Sequence, residues 1–446
     1  MEADEMSVIS NIVKEINPKC ITILGGPHAS FFYDHALENA KIDIVVMGEG
    51  EITFIELIKK LLQDQSVENV KGIAFKKNNK IILTPPREFI ENLDSIPFPA
   101  WDLVDFKKYS TVSSMNAYCA AKPWAIIFTS RGCPFHCAYC HSIFGKKARL
   151  RSPENVIAEI ELLTQKYRVK EIQIVDDFFN VNLERAKKIC DLIIDKKIKI
   201  KIAFPDALRG DMIDKELIHK LKEAGCYSIA YAVETASPRI QKLINKNLNL
   251  EKVHQAISWT YDEGIITHGY FMLGFPSETR EEIESTIKWA VNHPKLLLSV
   301  FFSVVIYPRL PLMEIAKSSY PNFDFSQWKL FDLRYWSEKP FYQKATGVNL
   351  FKIQRNAYRR FYSSPKKLFI IFLRFPKNIF LFHIIWSGLR SMFISLYKLE
   401  KFFYFRDSSF KNMKEKISII IMIILSLIIL KNIIINILSY RYLKLP

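Results

Sequence analysis

Cysteine is scarce in this chain: seven residues in 446. The number is odd, the density is low, and no secretory leader is legible at the N-terminus. A disulfide framework is therefore not expected, and a reducing cytoplasm is the compartment that fits. Acidic residues are the second shortage. Forty-six Asp and Glu face 63 Lys and Arg, a formal net charge of +17. Much of the excess lies late: between Phe351 and Lys416 only Glu400, Asp407 and Glu415 oppose the basic residues. That stretch is also rich in Phe, Ile, Leu and Trp. Basic residues threaded through apolar ones suit a membrane surface better than nucleic acid, so no nucleic-acid partner is expected.

What the chain does have is alternation of strand and helix. It opens on a helical pattern, "MSVISNIVKEIN", then a buried strand, "CITILGGPHAS". A helix, a second strand "IDIVVMGEGE" and an amphipathic helix "TFIELIKKLL" follow. A hairpin-like pair, "GIAFKKNNKIILTPP", closes the unit. Residues 1–92 thus read as a doubly wound, flavodoxin-like α/β domain with only two parallel strands. The chain is expected to begin partway into that fold. A linker over 93–122 contains Pro97 and Pro99.

Over 123–310 six strands alternate with amphipathic helices: "WAIIFTS", "EIQIVDD", "IKIAFPDAL", "YSIAYAVE", "HGYFMLGFP" and "LSVFFSVVIYP". The pattern predicts a partial (β/α)6 barrel with its active site at the carboxyl ends of the strands. Ser152 and Pro153 predict the start of one helix. Residues 311–365 extend the core, 366–416 form basic amphipathic helices broken at Pro376, and 417–438 is long enough to span a bilayer. Lys411, Lys414 and Lys416 before that segment place the bulk of the protein on the cytoplasmic side.

Three of the seven cysteines crowd into "RGCPFHCAYCHSIFG", at Cys133, Cys137 and Cys140. Zinc sites usually need two separated pairs, and no second pair exists, although His136 and His141 are nearby. Three thiolates on one loop suit a cubane iron–sulfur cluster with one iron left open to a chelating small molecule. Cys20, Cys119, Cys190 and Cys226 sit in ordinary strand, helix or linker contexts and read as packing residues.

The spacing "CPFHCAYC", with Tyr139 before the last cysteine, resembles the signature of the radical S-adenosylmethionine (SAM) superfamily. The resemblance implies a 4Fe-4S cluster on Cys133, Cys137 and Cys140. It also implies SAM chelated by the open iron, and a reductant such as flavodoxin or ferredoxin. Electron transfer then cleaves the sulfonium to give a 5′-deoxyadenosyl radical. Tyr139 would lie beside the adenine. "IVDDFF" is similar to a second-strand end whose polar groups meet the methionine amino group, making Asp176 and Asp177 candidates. Arg209 would face the methionine carboxylate. "YAVETASPRIQKLINK" supplies Glu234 with Lys246 downstream, and "GYFMLGFPSET" supplies Gly274, Pro276 and Glu278. For Asp176, Asp177, Arg209 and Glu234 the competing reading is a helix cap, a turn or a structural ion pair.

"ILGGPHASFFYDHAL" followed by "IDIVVMGEGE" resembles the second half of the cobalamin-binding domain that precedes the barrel in one large radical SAM subgroup. The resemblance implies bound cobalamin, approached by the backbone at Gly25 and Gly26. His28 reads as a turn residue rather than a cobalt ligand. "YPRLPLMEIAK" departs from the family pattern, with Arg309 and Leu310 where relatives carry glycine and threonine. The subgroup implies C-methylation or a related radical modification, and the tail points to a lipid-like or other hydrophobic small-molecule substrate. A cobalamin-free radical enzyme and a membrane-tethered, non-catalytic iron–sulfur remnant are the alternatives.

Overall fold

A computed structural model describes residues 3–111, 118–141, 143–325 and 341–374. The expected spanning helix at 417–438, the break at Pro376 and most of the basic segment 366–416 lie outside the described residues. Among the described residues no helix is long and apolar enough to cross a membrane.

The N-terminal domain is a four-stranded mixed sheet in the order β1 (Ile23–Leu24), β2 (Ile44–Val46), β3 (Ile73–Lys77) and β4 (Lys80–Leu83). Only β1 and β2 run parallel; β3 and β4 are antiparallel additions. The predicted pair of parallel strands is therefore present. The first is much shorter than "CITILGGPHAS" suggested. Gly26 adopts φ 100°, and Pro27 then opens a short helix, Pro27–Phe31. Proline has a fixed φ and no N–H to leave unsatisfied there, so it starts helices readily. The β3–β4 hairpin turns on Asn78 and Asn79 at φ 50° and 59°, the left-handed pair a two-residue turn between twisted strands requires.

Six further strands build one sheet: β5 (Trp124–Ile127), β8 (Glu171–Ile174), β9 (Lys201–Leu208), β10 (Cys226–Glu234), β11 (Ile266–Leu273) and β12 (Leu298–Ser303). They are hydrogen-bonded in the order β12-β11-β10-β9-β8-β5, all parallel. The order is sequential, so each strand returns beside its predecessor after a helix, as a (β/α)6 partial barrel demands. β5 and β12 are not paired with each other. A small ribbon, β6 (Ser130–Arg131) with β7 (Arg149–Leu150), stands apart.

Strand periodicity sorts the side chains. Ile127, Ile174, Phe204, Tyr231 and Phe271 point outward and pack with Ile160, Ile189, Leu221, Ile257 and Ile287 of the surrounding helices. The helix Pro153–Gln165 starts as predicted, with the Ser152 hydroxyl accepting the Asn155 N–H. The helix Leu350–Tyr362 covers the unpaired edge of β12: the Tyr358 hydroxyl accepts the Phe301 N–H at 3.0 Å, and the Tyr362 hydroxyl accepts that of Ser299 at 3.1 Å.

The end of the barrel opposite its mouth is plugged. The Tyr118 hydroxyl meets Ser228 Oγ at 3.1 Å and His268 Nε2 at 3.2 Å. Glu171 accepts from the Ala120 and Ala121 N–H groups and from the Tyr227 hydroxyl, at 2.7, 2.9 and 2.9 Å. Burial alone pushes His268 down to about 3, so it is neutral. Polar groups buried this deeply are tolerated because they satisfy one another.

Candidate active site at the mouth of the barrel

The three clustered cysteines lie on the loop that leaves β5, at the carboxyl ends of the strands. The ribbon of β6 and β7 forms the neck of this loop, with Arg131 opposite Arg149. Gly132 follows immediately at φ 83°, and a Cβ there would stand 2.4 Å from the Lys147 carbonyl oxygen. Only glycine allows this crossing. The loop is also tied to the barrel: the Ala138 N–H donates to the Ile244 carbonyl at 2.8 Å, and the Leu312 N–H to the Ala138 carbonyl at 2.9 Å.

No cysteine of the loop is in a disulfide; Cys133 and Cys137 are partly buried and Cys140 stands at the open side. Burial raises the Cys133 thiol, with Cys137 and Asp177 adding to the effect against a hydrogen bond from the Phe135 N–H. Although the residue as a whole is exposed, desolvation of the Cys140 sulfur, followed by the neighbouring Cys137, pushes its thiol up to about 11. Lys146, which donates to the Phe135 carbonyl within the loop, opposes both rises, and with no disulfide among them the three sulfurs are available as ligands. Among the described residues no group of three His, Cys, Asp or Glu draws together as a site for a single ion. Three cysteines free of disulfides on one loop are the donor set that a cubane cluster takes, with one iron left open.

Tyr139, Glu234 and Lys246 meet in one buried triad. The Tyr139 hydroxyl donates to Glu234 Oε1 at 3.2 Å, and Lys246 Nζ lies 3.1 Å from that hydroxyl and 3.0 Å from Glu234 Oε1. Glu234 is the last residue of β10 and adopts φ 64°, beside a register shift against β11. That turn of the backbone delivers its carboxylate to the cysteine loop.

The two aspartates after β8 divide. Asp176 is buried and accepts from the Thr129 N–H at 2.6 Å and the Ser130 hydroxyl at 2.7 Å. Burial raises its pKa, which these hydrogen bonds and Arg185 partly offset. Both carboxylate oxygens are thus spent on anchoring the exit from β5. Asp177 accepts the Gly132 N–H at 3.0 Å through one oxygen, at the threshold of the cysteine loop. Arg209, after β9, stacks its guanidinium 3.7 Å above the Phe135 ring. It also pairs with Asp211 at 2.9 Å and donates to the Lys246 carbonyl at 3.0 Å. It therefore joins the loop to the triad's backbone. Glu278 accepts the Gly274 and Phe275 N–H groups at 2.6 and 3.0 Å, fixing the turn after β11.

Gly25 and Gly26 follow β1, and Gly48 follows β2, at the same edge of the parallel pair. A Cβ added at Gly26 or Gly48 would meet nothing within 4 Å, and one at Gly25 only the Val46 carbonyl at 3.9 Å. Ser30 links the two loops by accepting the Gly48 N–H at 2.9 Å. Open backbone at the carboxyl ends of parallel strands is where this type of fold takes a nucleotide-bearing ligand, so the residues present fit the tail of a cobalamin. His28 lies inside the short helix and packs against Phe32 and His35.

Sequence reasoning quoted Glu49 and Arg131 without giving them a role, and did not single out Arg149, Asp206 or Phe135. The structure pairs Glu49 with both arginines. Asp206 sits where β9 bulges, with Ala207 at φ 72°. Its side chain is accessible yet walled by protein, and burial, with Asp177 and Asp176 nearby, raises it to about 6. The departure at Arg309 is also resolved: its side chain reaches the N-terminal domain, pairing with Asp34 at 2.6 Å.

The family model of the radical SAM superfamily matches residues 127–290, and that of the B12 binding domain matches residues 2–58. An uncharacterized methyltransferase of Pyrococcus horikoshii is 34% identical over 370 residues, 81% of this chain and 76% of that protein. The cytidylyl-2-hydroxyethylphosphonate methyltransferase of Streptomyces wedmorensis is 28% identical, over 65% of this chain and 60% of its own. Among solved structures, the radical SAM methyltransferase TsrM of Kitasatospora setae, with cobalamin and a [4Fe-4S] cluster bound, superposes with a TM-score of 0.60. That match has 17% identity and covers 70% of this chain and 63% of that one. With the cysteine loop at the barrel mouth and the glycine loops ahead of it, the chain belongs to the radical SAM superfamily of enzymes, among the members whose barrel follows a B12-binding domain and whose cofactors are a 4Fe-4S cluster, SAM and cobalamin.

Proposed function

We propose that this enzyme carries out cobalamin-dependent C-methylation, or a closely related radical modification, of a hydrophobic substrate at the cytoplasmic face of a membrane. The observation that carries the reading is the convergence of the cysteine loop, the Tyr139–Glu234–Lys246 triad and Arg209 on one mouth. When bound, the cluster supplies the electron that cleaves SAM, and cobalamin supplies a carrier for the methyl group.

The chain's own residues bind and orient. Cys133, Cys137 and Cys140 would hold the cluster, and Tyr139 would bound the adenine. The second oxygen of Asp177 would meet the SAM amino group, and Arg209, held by Asp211, would face its carboxylate. Asp176 holds the strand end in place instead. Inside the sheet, Tyr270 crosses from β11 to β9, donating to the Pro205 carbonyl at 2.8 Å, and packs edge-on against Phe302 at 5.8 Å. Phe302 is 41% exposed. An aromatic surface of this kind favours an apolar substrate. Asp206, beside Tyr270, is the carboxylate on that surface able to hold or release a proton near neutral pH.

The membrane reading rests on the basic, apolar tail and on the helix Pro365–Arg374, which exposes Phe369 and Leu373 beside Lys366. A small amphipathic face with flanking lysine is the composition that binds anionic headgroups.

The test is anaerobic reconstitution of the full chain with iron, sulfide and hydroxocobalamin, then incubation with SAM, a flavodoxin-type reductant and a fractionated lipid extract. The expected results are stoichiometric cobalt, 5′-deoxyadenosine together with S-adenosylhomocysteine, and a lipid in which one hydrogen is replaced by methyl, heavier by one CH2. Cys137→Ala should remove the cluster absorbance and all SAM cleavage. Failure of an intact, cobalt-loaded enzyme to modify any lipid fraction while it modifies a polar one would overturn the hydrophobic assignment. Co-sedimentation with anionic vesicles tests the membrane arm, and its absence would overturn that arm.

A further inference from the structure

The neck of the cysteine loop carries two arginines directly across from each other, Arg131 on β6 and Arg149 on β7. Two cations in that position repel. Both instead converge on one carboxylate from the other domain. Arg149 donates to Glu49 Oε1 and Oε2 at 2.9 and 2.8 Å, and Arg131 to Oε1 at 2.9 Å. The Ile90 N–H adds a bond to Oε2 at 2.8 Å. Arg131 reaches Glu51 as well, at 2.6 Å. The Glu49 and Arg149 side chains are only 4% and 2% exposed. Glu49 precedes the helix Gly50–Leu62 but makes no capping bond with its side chain. Its side chain is turned toward the loop neck and the Ile90 backbone beside it.

The arrangement reaches the loop from both ends. Arg131 is two residues before Cys133, and Arg149 also donates to the Phe144 carbonyl at 2.9 Å and to the Ile90 carbonyl at 2.7 Å. A carboxylate buried between two guanidiniums is costly to disturb, because removing one member strands the others without compensation.

We propose that Glu49 is a positioning residue for the cysteine loop: by bridging Arg131 and Arg149 it locks the loop neck, so that SAM seats on the cluster in register only while this bridge from the N-terminal domain is closed. The proposal rests on the radical SAM reading of the site and adds a dependence between its two domains. A second contact between them, Arg309 with Asp34, touches no part of the loop and serves as its control.

The experiment uses the full, anaerobically reconstituted chain. Glu49→Gln keeps the shape and removes the charge. It should still load iron, while the affinity for SAM falls at least tenfold and the change that SAM causes in the electron paramagnetic resonance spectrum of the reduced cluster is lost. Glu49→Asp should recover part of both. Arg309→Ala should leave both as in the wild type. Wild-type SAM affinity and spectrum in Glu49→Gln would overturn the proposal. So would an equal disturbance by Arg309→Ala, because loosened docking alone would then suffice. If Glu49→Gln does not fold, Arg131→Lys keeps the charge but loses the fork to two carboxylates. It should show the same spectral loss, and a wild-type spectrum there overturns the idea. Failure of the wild type itself to take up iron would strike the cluster assignment instead, which keeps the two readings separable.

Discussion

Lys246 Nζ lies 3.0 Å from Glu234 Oε1, and both side chains are about nine-tenths buried. The pair is completed by the hydroxyl of Tyr139, one residue before the third cysteine of the loop. A buried ion pair is therefore welded to the cofactor loop, and damage to it should be felt there.

Lys246→Met leaves the Glu234 carboxylate buried with only a phenol for company. Breaking a buried pair by removing one partner costs about 3–5 kcal/mol, whereas replacing both is often nearly neutral. Chemical denaturation should show Lys246→Met far less stable than the double variant Lys246→Met/Glu234→Gln. Equal stability of the two would show that the pair is not coupled.

Gly132→Ala should spare the barrel and spoil the loop. The left-handed backbone alone costs about 1–2 kcal/mol for a non-glycine residue, and the added methyl would collide with the Lys147 carbonyl. The expected outcome is a melting temperature close to that of the wild type with most of the iron lost on reconstitution. Iron and sulfide assays against circular dichroism check it. Full iron loading would refute the crowding argument.

The reading from sequence succeeded where a local pattern decides the outcome. Six apolar strands separated by amphipathic helices leave few alternatives to a partial barrel, and cysteine spacing is set within one loop. Glu234 and Tyr139 were selected separately and meet in the structure. It ran out where distance or facing decides. Asp176 and Asp177 are adjacent, so a strand end turns them to different partners, and nothing local tells which is spent on Thr129 and Ser130. Glu49 is 82 residues from Arg131 and 100 from Arg149, and no spacing rule spans such separations. The strand before Gly25 was overextended because an apolar run does not show where Pro27 restarts the chain as helix.

Glu278 gives a pH signature. It is buried, and desolvation raises its carboxyl from the usual 4.5 to about 8, against hydrogen bonds from the Gly274 and Phe275 N–H groups. Its Oε1 has no hydrogen-bond partner. The folded state thus holds the proton more tightly than the unfolded chain. The stability linked to that proton is full below about pH 4.5 and is lost as the pH rises toward 8. Glu278→Gln removes this slope. The difference in unfolding free energy between wild type and variant should move in the variant's favour from pH 5 to pH 8. A pH-independent difference would show that Glu278 is ionised in the fold.

The six-stranded sheet ends on β5 and β12, which never pair. Among the described residues the sheet is thus a trough rather than a tube. An open sheet leaves a row of backbone groups at each end that could recruit a foreign strand. At β12 the hydroxyls of Tyr358 and Tyr362 occupy that row, so there the seam is sealed by side chains rather than by a seventh strand.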